Sequence, residues 1–374
     1  MSKVNNTADV LIIGAGLSGL ATALLLLEAG LSVKVLEAHS RPGGRIRSVV
    51  DPKSGRFLAD LGPTWIWPTF QPVITRWFNK LGLNVFPQYS DGLTVLDYEP
   101  DQQAKTGFIP EQQGAMRLNG GSQSLTNSLV SRLPENAMHT DTKVISVHIK
   151  KHDVFVRTDG GDTPDFSAQK IVIALPPRIA SRSIEWKPAL TTELSGALDM
   201  MPTWMAPHAK VALLYKDAFW RTRGLSGRIA SRSGPIVEGH DHCAADGSNA
   251  ALWGFIGWPH DMRQELGDDL ENQILLQLQR CFGQDAPKPL AIHFQDWAAN
   301  PLVASPEDIS GPMHHPTVGP SVLRQLHYDS RVGFAASETA QTSPGLIEGA
   351  FDAAERTASL LSENETSISV PQAV

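Results

Sequence analysis

Short apolar runs, each ended by glycine or proline, set the pattern of this chain. Val10–Ile13 is continuously apolar, as a strand buried on both faces is. Gly14-Ala15-Gly16-Leu17-Ser18-Gly19 follows. An apolar helix then runs through Leu27, with Gly30 placed to cap it. Ser32–Glu37 predicts the next strand. The stretch from Val10 to Leu31 has the apolarity of a membrane span, but its four glycines divide it into strand, turn and helix.

Further on, Tyr89–Gly120 is polar and reads as a crossing between domains. Lys143–Lys150 and Val154–Thr158 alternate as adjacent strands about a polar turn. Ile171–Leu175 is a buried strand stopped by Pro176-Pro177, and Ala209–Tyr215 is a strand leading into Phe219-Trp220. Gln273–Cys281 has helical spacing. Val332–Ala336 predicts a strand ending at Ser337-Glu338-Thr339. A last helix is expected from about Pro344 to Leu361, followed by a disordered polar tail after Ser362.

Composition narrows the class. The 374 residues exceed one average core, so two domains are expected. Net charge is −7 with no basic run, which argues against nucleic acid and anionic membrane surfaces as partners. Only Cys243 and Cys281 occur. No disulfide framework is expected, and a reducing, cytoplasmic location follows. The N-terminus shows no secretory pattern, so the sequons at Asn5 and Asn364 carry little meaning. His240-Asp241-His242-Cys243 lacks a second paired half, and is expected to be a solvated loop with no metal.

The glycine turn has the context that gives it meaning: a strand before it, a helix after it, and Glu37 closing the next strand. Gly14 permits the tight turn, Gly16 lets a diphosphate approach the backbone, and Gly19 lets helix pack on strand. The helix N-terminus offers unpaired N–H groups to phosphates. Glu37 can accept from both ribose hydroxyls, which argues against NADP and leaves NAD and FAD open.

Arg41-x-Gly43-Gly44-Arg45 discriminates between them. With VLIIGAGLSGLATALLLLEAGLSVKVLEAHSRPGGRIRS and ADLGPTW, with RLNGGSQSL, IVIALPP and KVALLYKDAFW, and with VGFAASETAQTSPGLIEGAFDAAERTA, the sequence resembles the flavin-containing amine oxidases of the monoamine oxidase type. The resemblance implies an α/β fold in which a Rossmann-like FAD-binding domain (1–85, 120–198 and 308–374) carries a discontinuous mixed-sheet substrate domain (86–119 and 199–307). It implies that Gly14, Gly16, Ser18 and Gly19 form the phosphate loop. Glu37 and Ala38 meet the ribose, and Gly44 and Arg45 meet the diphosphate or ribityl. Gly62, Pro63, Thr64, Trp65 and Trp297 lie along the flavin, and Val144 bonds adenine through its backbone. Glu338, Leu346 and Ile347 approach from the C-terminal block. Lys210 is implied to be catalytic, water-linked to flavin N5 and acting in reoxidation by O₂. Strand pattern alone favours Lys210 snorkelling at an edge, and the resemblance reverses that reading. Trp65, Trp67, Trp204, Trp253, Trp258 and Trp297 are candidates for the cavity wall.

Departures from the family pattern matter. Leu346 stands where an aromatic often follows the helix-opening glycine, and the opposing position falls near Met313, so the two-aromatic amine cage is absent or rebuilt. That region has no cysteine, which implies non-covalent FAD. Ala336-Ser337 replaces Gly-Thr, His39 replaces an arginine, and His314-His315 are candidates to face the flavin. The short Tyr89–Gly120 run implies loss of most of the helical insert. The cavity is then either more open or completed by a homo-oligomer or partner subunit. The expected function is oxidation of an apolar or aromatic amine by FAD, with O₂ returned as H₂O₂. A desaturase- or porphyrinogen-oxidase-like enzyme, a flavin-binding subunit and an NAD dehydrogenase are the competing readings.

Overall fold

The computed structural model describes residues 6–110, 113–159, 166–311 and 315–366, with side chains of the last helix followed to Glu363. Met313, His314 and Asn5 lie outside the described residues.

Two large sheets organise the chain. The first has eight strands. Thr7–Ile13 lies at its centre, parallel to Val33–Leu36 on one side and to Phe166–Ile173 on the other; Val332–Phe334 pairs parallel with the latter. Val144–Ile149 and Val154–Thr158 form an antiparallel hairpin on its flank. Alternation along Thr7–Ile13 supplies two cores. Val10 and Ile12 face the first helix (Leu17–Glu28) and the last (Ile347–Thr366), while Leu11 and Ile13 pack beneath the sheet with Ala180 and Leu198. Trp77 and Phe351 stack at 4.5 Å, tying the helix Pro72–Leu81 to the last helix.

The second sheet has seven strands, drawn from 93–107 and 209–296. Ala209–Tyr215 lies antiparallel between Ala250–Ile256 and Ala291–Asp296. On its back, Val211 and Leu213 pack against Ile274 and Leu278 of the helix Asp269–Phe282. Ala59 and Leu61, in and just after a strand (Phe57–Asp60) of a separate two-stranded sheet, meet Ala212 and Ala251, so small residues bring that small sheet close to the second large one.

Several boundaries differ from expectation. The helix expected over Gln273–Cys281 begins at Asp269, because Asp269 and Glu271 suit a first turn. The strand expected to reach Ala336 ends at Phe334. The last helix begins at Ile347 rather than Pro344, since Gly345 turns with φ +80, and it passes Ser362 to end at Thr366. His240-Asp241 is not loop but the end of the strand Ile236–Asp241. Asp241 there binds Arg221 and the Trp220 indole, and His242 is fully buried. No metal-ligand cluster occurs among the described residues. None of the described helices is long and apolar enough to cross a membrane.

Candidate active site

A cavity of about 540 Å³ runs from the first sheet's glycine turn to the face of the second sheet. Gly14, Gly16, Ser18, Glu37, Ala38, Gly44, Arg45, Gly62, Pro63, Thr64, Trp65, Val144, Lys210, Trp297, Leu346 and Ile347 all line it. Gly19 and Glu338 do not.

At one end the first helix starts with Gly16 as its N-cap and no capping side chain, so its N–H groups are open to an anion. The glycines divide the work. A Cβ on Gly19 would lie 2.0 Å from the Gly14 carbonyl oxygen, so Gly19 serves packing. A Cβ on Gly16 would meet no protein atom within 4 Å and would instead enter the cavity. Ser18 Oγ donates to the Ala335 carbonyl, fastening this helix to the last strand. Glu37 accepts from Ala15 N at 2.7 Å and His39 N at 2.8 Å, which fixes its carboxylate at the cavity edge.

Glu338 acts through Arg45. It is fully buried and holds the guanidinium with Nη1–Oε1 2.6 Å and Nη2–Oε2 2.9 Å. Arg45 Nη1 also donates to the Trp204 carbonyl at 3.0 Å. Arg45 therefore meets the cavity as a fixed cation.

The other end is aromatic. In the register of the second sheet Lys210 lies opposite Phe255, Ala212 opposite Trp253, and Glu238 opposite Phe255. Facing pairs share a side of the sheet, so Lys210, Trp253, Phe255 and Glu238 all look into the cavity. Lys210 is buried. Its Nζ donates to the Gly62 carbonyl and sits 5.2 Å from the rings of both Trp253 and Phe255. Desolvation brings its pKa down to about 7, with Asp60 pulling the other way. His208 is pushed down to about 4 by burial and then by the charges of Lys210 and Arg263.

Trp65, Trp67, Trp204, Trp253 and Trp297 form walls, whereas Trp258 packs on the second sheet's own core. Trp65 is held edge-on to Trp253 at 5.3 Å, and its indole donates to Gln88. His315 faces the cavity beside Trp204 at 4.8 Å. Phe255 and Glu238 were not among the expected residues. The alternation of Trp253-x-Phe255 and of Glu238-x-His240 was the available signal, but only the strand register says which face looks inward.

Residues 101–362 match the family described as flavin containing amine oxidoreductase, and residues 12–81 match an NAD(P)-binding Rossmann-like domain. The chain belongs to the flavin-containing amine oxidoreductase family and is an FAD-dependent oxidoreductase acting on amines. It is 23% identical to the probable flavin-containing monoamine oxidase A of Dictyostelium discoideum, over 93% of this chain and 96% of the relative. It is 23% identical to amine oxidase B of Rattus norvegicus, over 95% and 86%. The first of these alignments has 453 positions against 374 residues here, so this chain carries the gaps. The fold resembles cyclohexylamine oxidase from Brevibacterium oxydans (TM-score 0.79, 19% identical, 96% of this chain and 99% of that one). It also resembles wild-type putrescine oxidase bound to putrescine (TM-score 0.75, 21% identical, 94% and 98%). The desaturase-like, flavin-subunit and NAD readings are not favoured.

The residues present fit FAD. Gly16 leaves room where the diphosphate would approach, Arg45 supplies charge, and Glu37 stands where a ribose would lie. Toward the aromatic end, Thr64 Oγ1, Trp67 Nε1 and Trp253 Nε1 are buried without partners among the described residues, in keeping with a polar ring system beside them.

Proposed function

We propose that the chain oxidises a small amine with an apolar body at the C–H beside nitrogen, giving an imine that water hydrolyses. Bound FAD supplies the hydride acceptor at N5 and returns the electrons to O₂ as H₂O₂. The chain's own residues do the rest. Trp65, Trp253 and Phe255 provide an apolar wall that holds the substrate carbon and favours the neutral, reactive amine by desolvation. Lys210 is the residue set for the oxygen half-reaction. The observation that carries this reading is the placing of a buried lysine, two aromatic rings and the Gly62 carbonyl around one end of a cavity whose other end is a diphosphate cradle.

Non-covalent FAD is supported by the two cysteines, both buried in the second sheet's core and neither lining the cavity. On this reading Gly14, Gly16, Ser18, Glu37, Ala38, Gly44, Arg45, Gly62, Pro63, Thr64, Trp65, Val144, Trp297, Leu346 and Ile347 contact FAD. Gly19 supports the loop by packing, and Glu338 by fixing Arg45. Segments 1–85, 120–198 and 308–374 then form the cofactor domain and 86–119 and 199–307 the substrate domain, in line with the division of strands between the two sheets. A cytoplasmic location is proposed from the two unpaired thiols.

The test is a panel of amines mixed anaerobically with the purified yellow protein. Bleaching of the flavin, with H₂O₂ on re-aeration, is the expected result. A flavin that no amine bleaches would overturn the reading. Heat or acid should release intact FAD; flavin that stays with the denatured chain would overturn the non-covalent assignment.

A further inference from the structure

The aromatic end of the cavity contains one charge that the reaction itself does not use. Among the described lining residues only two are carboxylates, Glu37 and Glu238. Both oxygens of Glu37 are engaged by backbone N–H groups at the far, nucleotide end. Glu238 stands with Trp65, Trp253, Phe255 and Lys210 along the cavity, with Arg228 of the neighbouring strand acting on it through charge but not bonded to it.

Its environment is arranged to leave one oxygen available. Oε1 bonds His240 Nε2 at 2.9 Å, and His240, two residues on along the same strand face, is nearly buried. The His240 ring is in turn fixed edge-on against Trp65 at 4.7 Å. No hydrogen bond engages Oε2 among the described residues. The side chain remains 46% exposed, so a ligand can reach it. The hydrogen bond from His240 leads the influences that hold the Glu238 carboxyl below the ordinary glutamate range, so it is an anion at neutral pH.

The register sets its distance from the reacting end. Lys210 faces Phe255 on the neighbouring strand, and Phe255 faces Glu238 on the next. Two strand spacings separate Lys210 from Glu238, about 10 Å between backbones. Rings of Trp253 and Phe255 lie along this span. An apolar chain with a cation at its far end matches that sequence of surfaces: aromatic wall first, fixed carboxylate last.

We propose that Glu238 binds the distal ammonium of a diamine whose other nitrogen is the one oxidised. The inference rests on the amine-oxidation reading above and names the substrate class for that same cavity. It separates two jobs that one nitrogen could not do. The reacting nitrogen must be neutral, which the apolar wall favours, while the far nitrogen stays charged and is held by a charge-assisted hydrogen bond.

The experiment compares linear alkyl diamines with n-alkylamines of equal carbon number, using holoenzyme of the wild type, Glu238→Gln and Glu238→Leu. Anaerobic flavin reduction gives the binding and reduction constants, and the flavin spectrum checks that each variant retains its cofactor. The wild type is expected to favour the diamine. Glu238→Gln should lower kcat/KM for the diamine on the order of 10- to 100-fold, mainly through weaker binding. Glu238→Leu should lose the diamine equally while keeping or improving the monoamine. Equal losses for both amines, or a wild type indifferent to the second nitrogen, would overturn the inference and leave amine oxidation standing. No reduction by any amine would remove the amine-oxidation reading and this inference with it.

Discussion

Arg45 and Glu338 meet across 293 positions of chain in a two-bonded ion pair, and the same carboxylate accepts the Trp204 N–H at 3.2 Å and the Ser337 hydroxyl at 2.9 Å. Burial alone would raise the Glu338 pKa, but the Arg45 charge and these hydrogen bonds outweigh it and leave the group below its usual value. One buried anion thereby aims a cation at the cavity and ties it to the wall formed by Trp204.

Glu338→Gln keeps the shape and removes the charge. FAD affinity is expected to fall by about tenfold or more, because a loosened Arg45 no longer meets the diphosphate in one geometry. Titration of stripped protein with FAD measures this. An unchanged Kd would show that Arg45 needs no help from Glu338.

Lys210→Met should retain FAD and amine-dependent flavin reduction, but slow reoxidation by O₂ on the order of a hundredfold. Negative charge builds on oxygen in that step, so the ammonium form helps. With a pKa brought to about 7, the wild-type reoxidation rate should fall as pH rises through neutrality, and the variant should be flat. Stopped-flow mixing of reduced enzyme with O₂ across pH 6–9 decides it. Equal rates in the two proteins would remove Lys210 from the oxygen step.

Gly16 and Gly19, one helical turn apart, are expected to fail in different ways. Gly16→Ala places its Cβ where no protein atom lies within 4 Å, so thermal stability of cofactor-free protein should hold while FAD affinity drops about tenfold or more. Gly19→Ala drives a Cβ into the Gly14 carbonyl, so the fold itself should suffer, by about 2–4 kcal/mol. Thermal melts and FAD titrations of both variants separate the outcomes. Equal loss of stability would refute the division of roles.

His242 makes the fold sensitive to acid. Its Nε2 accepts the Asp60 N–H at 2.9 Å, which requires an unprotonated nitrogen, and Nδ1 is buried without a partner among the described residues. Burial and then Arg117 push its pKa down to about 4, more strongly than the Asp60 carboxylate at 3.6 Å pulls it up. The unfolded chain therefore binds the proton first. The associated stability is complete above pH 6.5 and is lost as pH falls toward 4, by roughly 3 kcal/mol. Urea unfolding from pH 4 to 8 should show this slope, reduced in His242→Gln. Parallel pH profiles would show that His242 does not titrate on unfolding.

The nucleotide end was legible because its chemistry is local. The turn Gly14–Gly19, its flanking strand and helix, and Glu37 all lie within one supersecondary unit whose spacing is set by covalent geometry. The aromatic end depends on register. Trp253 could be nominated from its residue type, but Phe255 and Glu238 acquire their roles only because Ala250–Ile256 pairs with Ala209–Tyr215 in one particular alignment. Misreading His240-Asp241 as loop, and the four-residue run as solvated, has the same origin. A polar run buried at a strand end is bonded by Arg221, Trp220, Arg117 and Asp60, all at least twenty positions away in sequence. Pro344 suggested a helix start by composition, but the turn at Gly345 delays it.

The bond from Ser18 to the Ala335 carbonyl sets an order of events during synthesis. Ser18 is translated 317 positions before Ala335, so the glycine turn is made long before the strand and helix that complete its surroundings. A growing chain that stops short of Ala335 has no neighbour for Ser18, no counter-ion for Arg45, and an open apolar flank on its first helix. The cradle at the glycine turn is thus complete only once Ala335 and the helix beyond it are in place, and a chain cut before Ala335 loses contacts at its first helix.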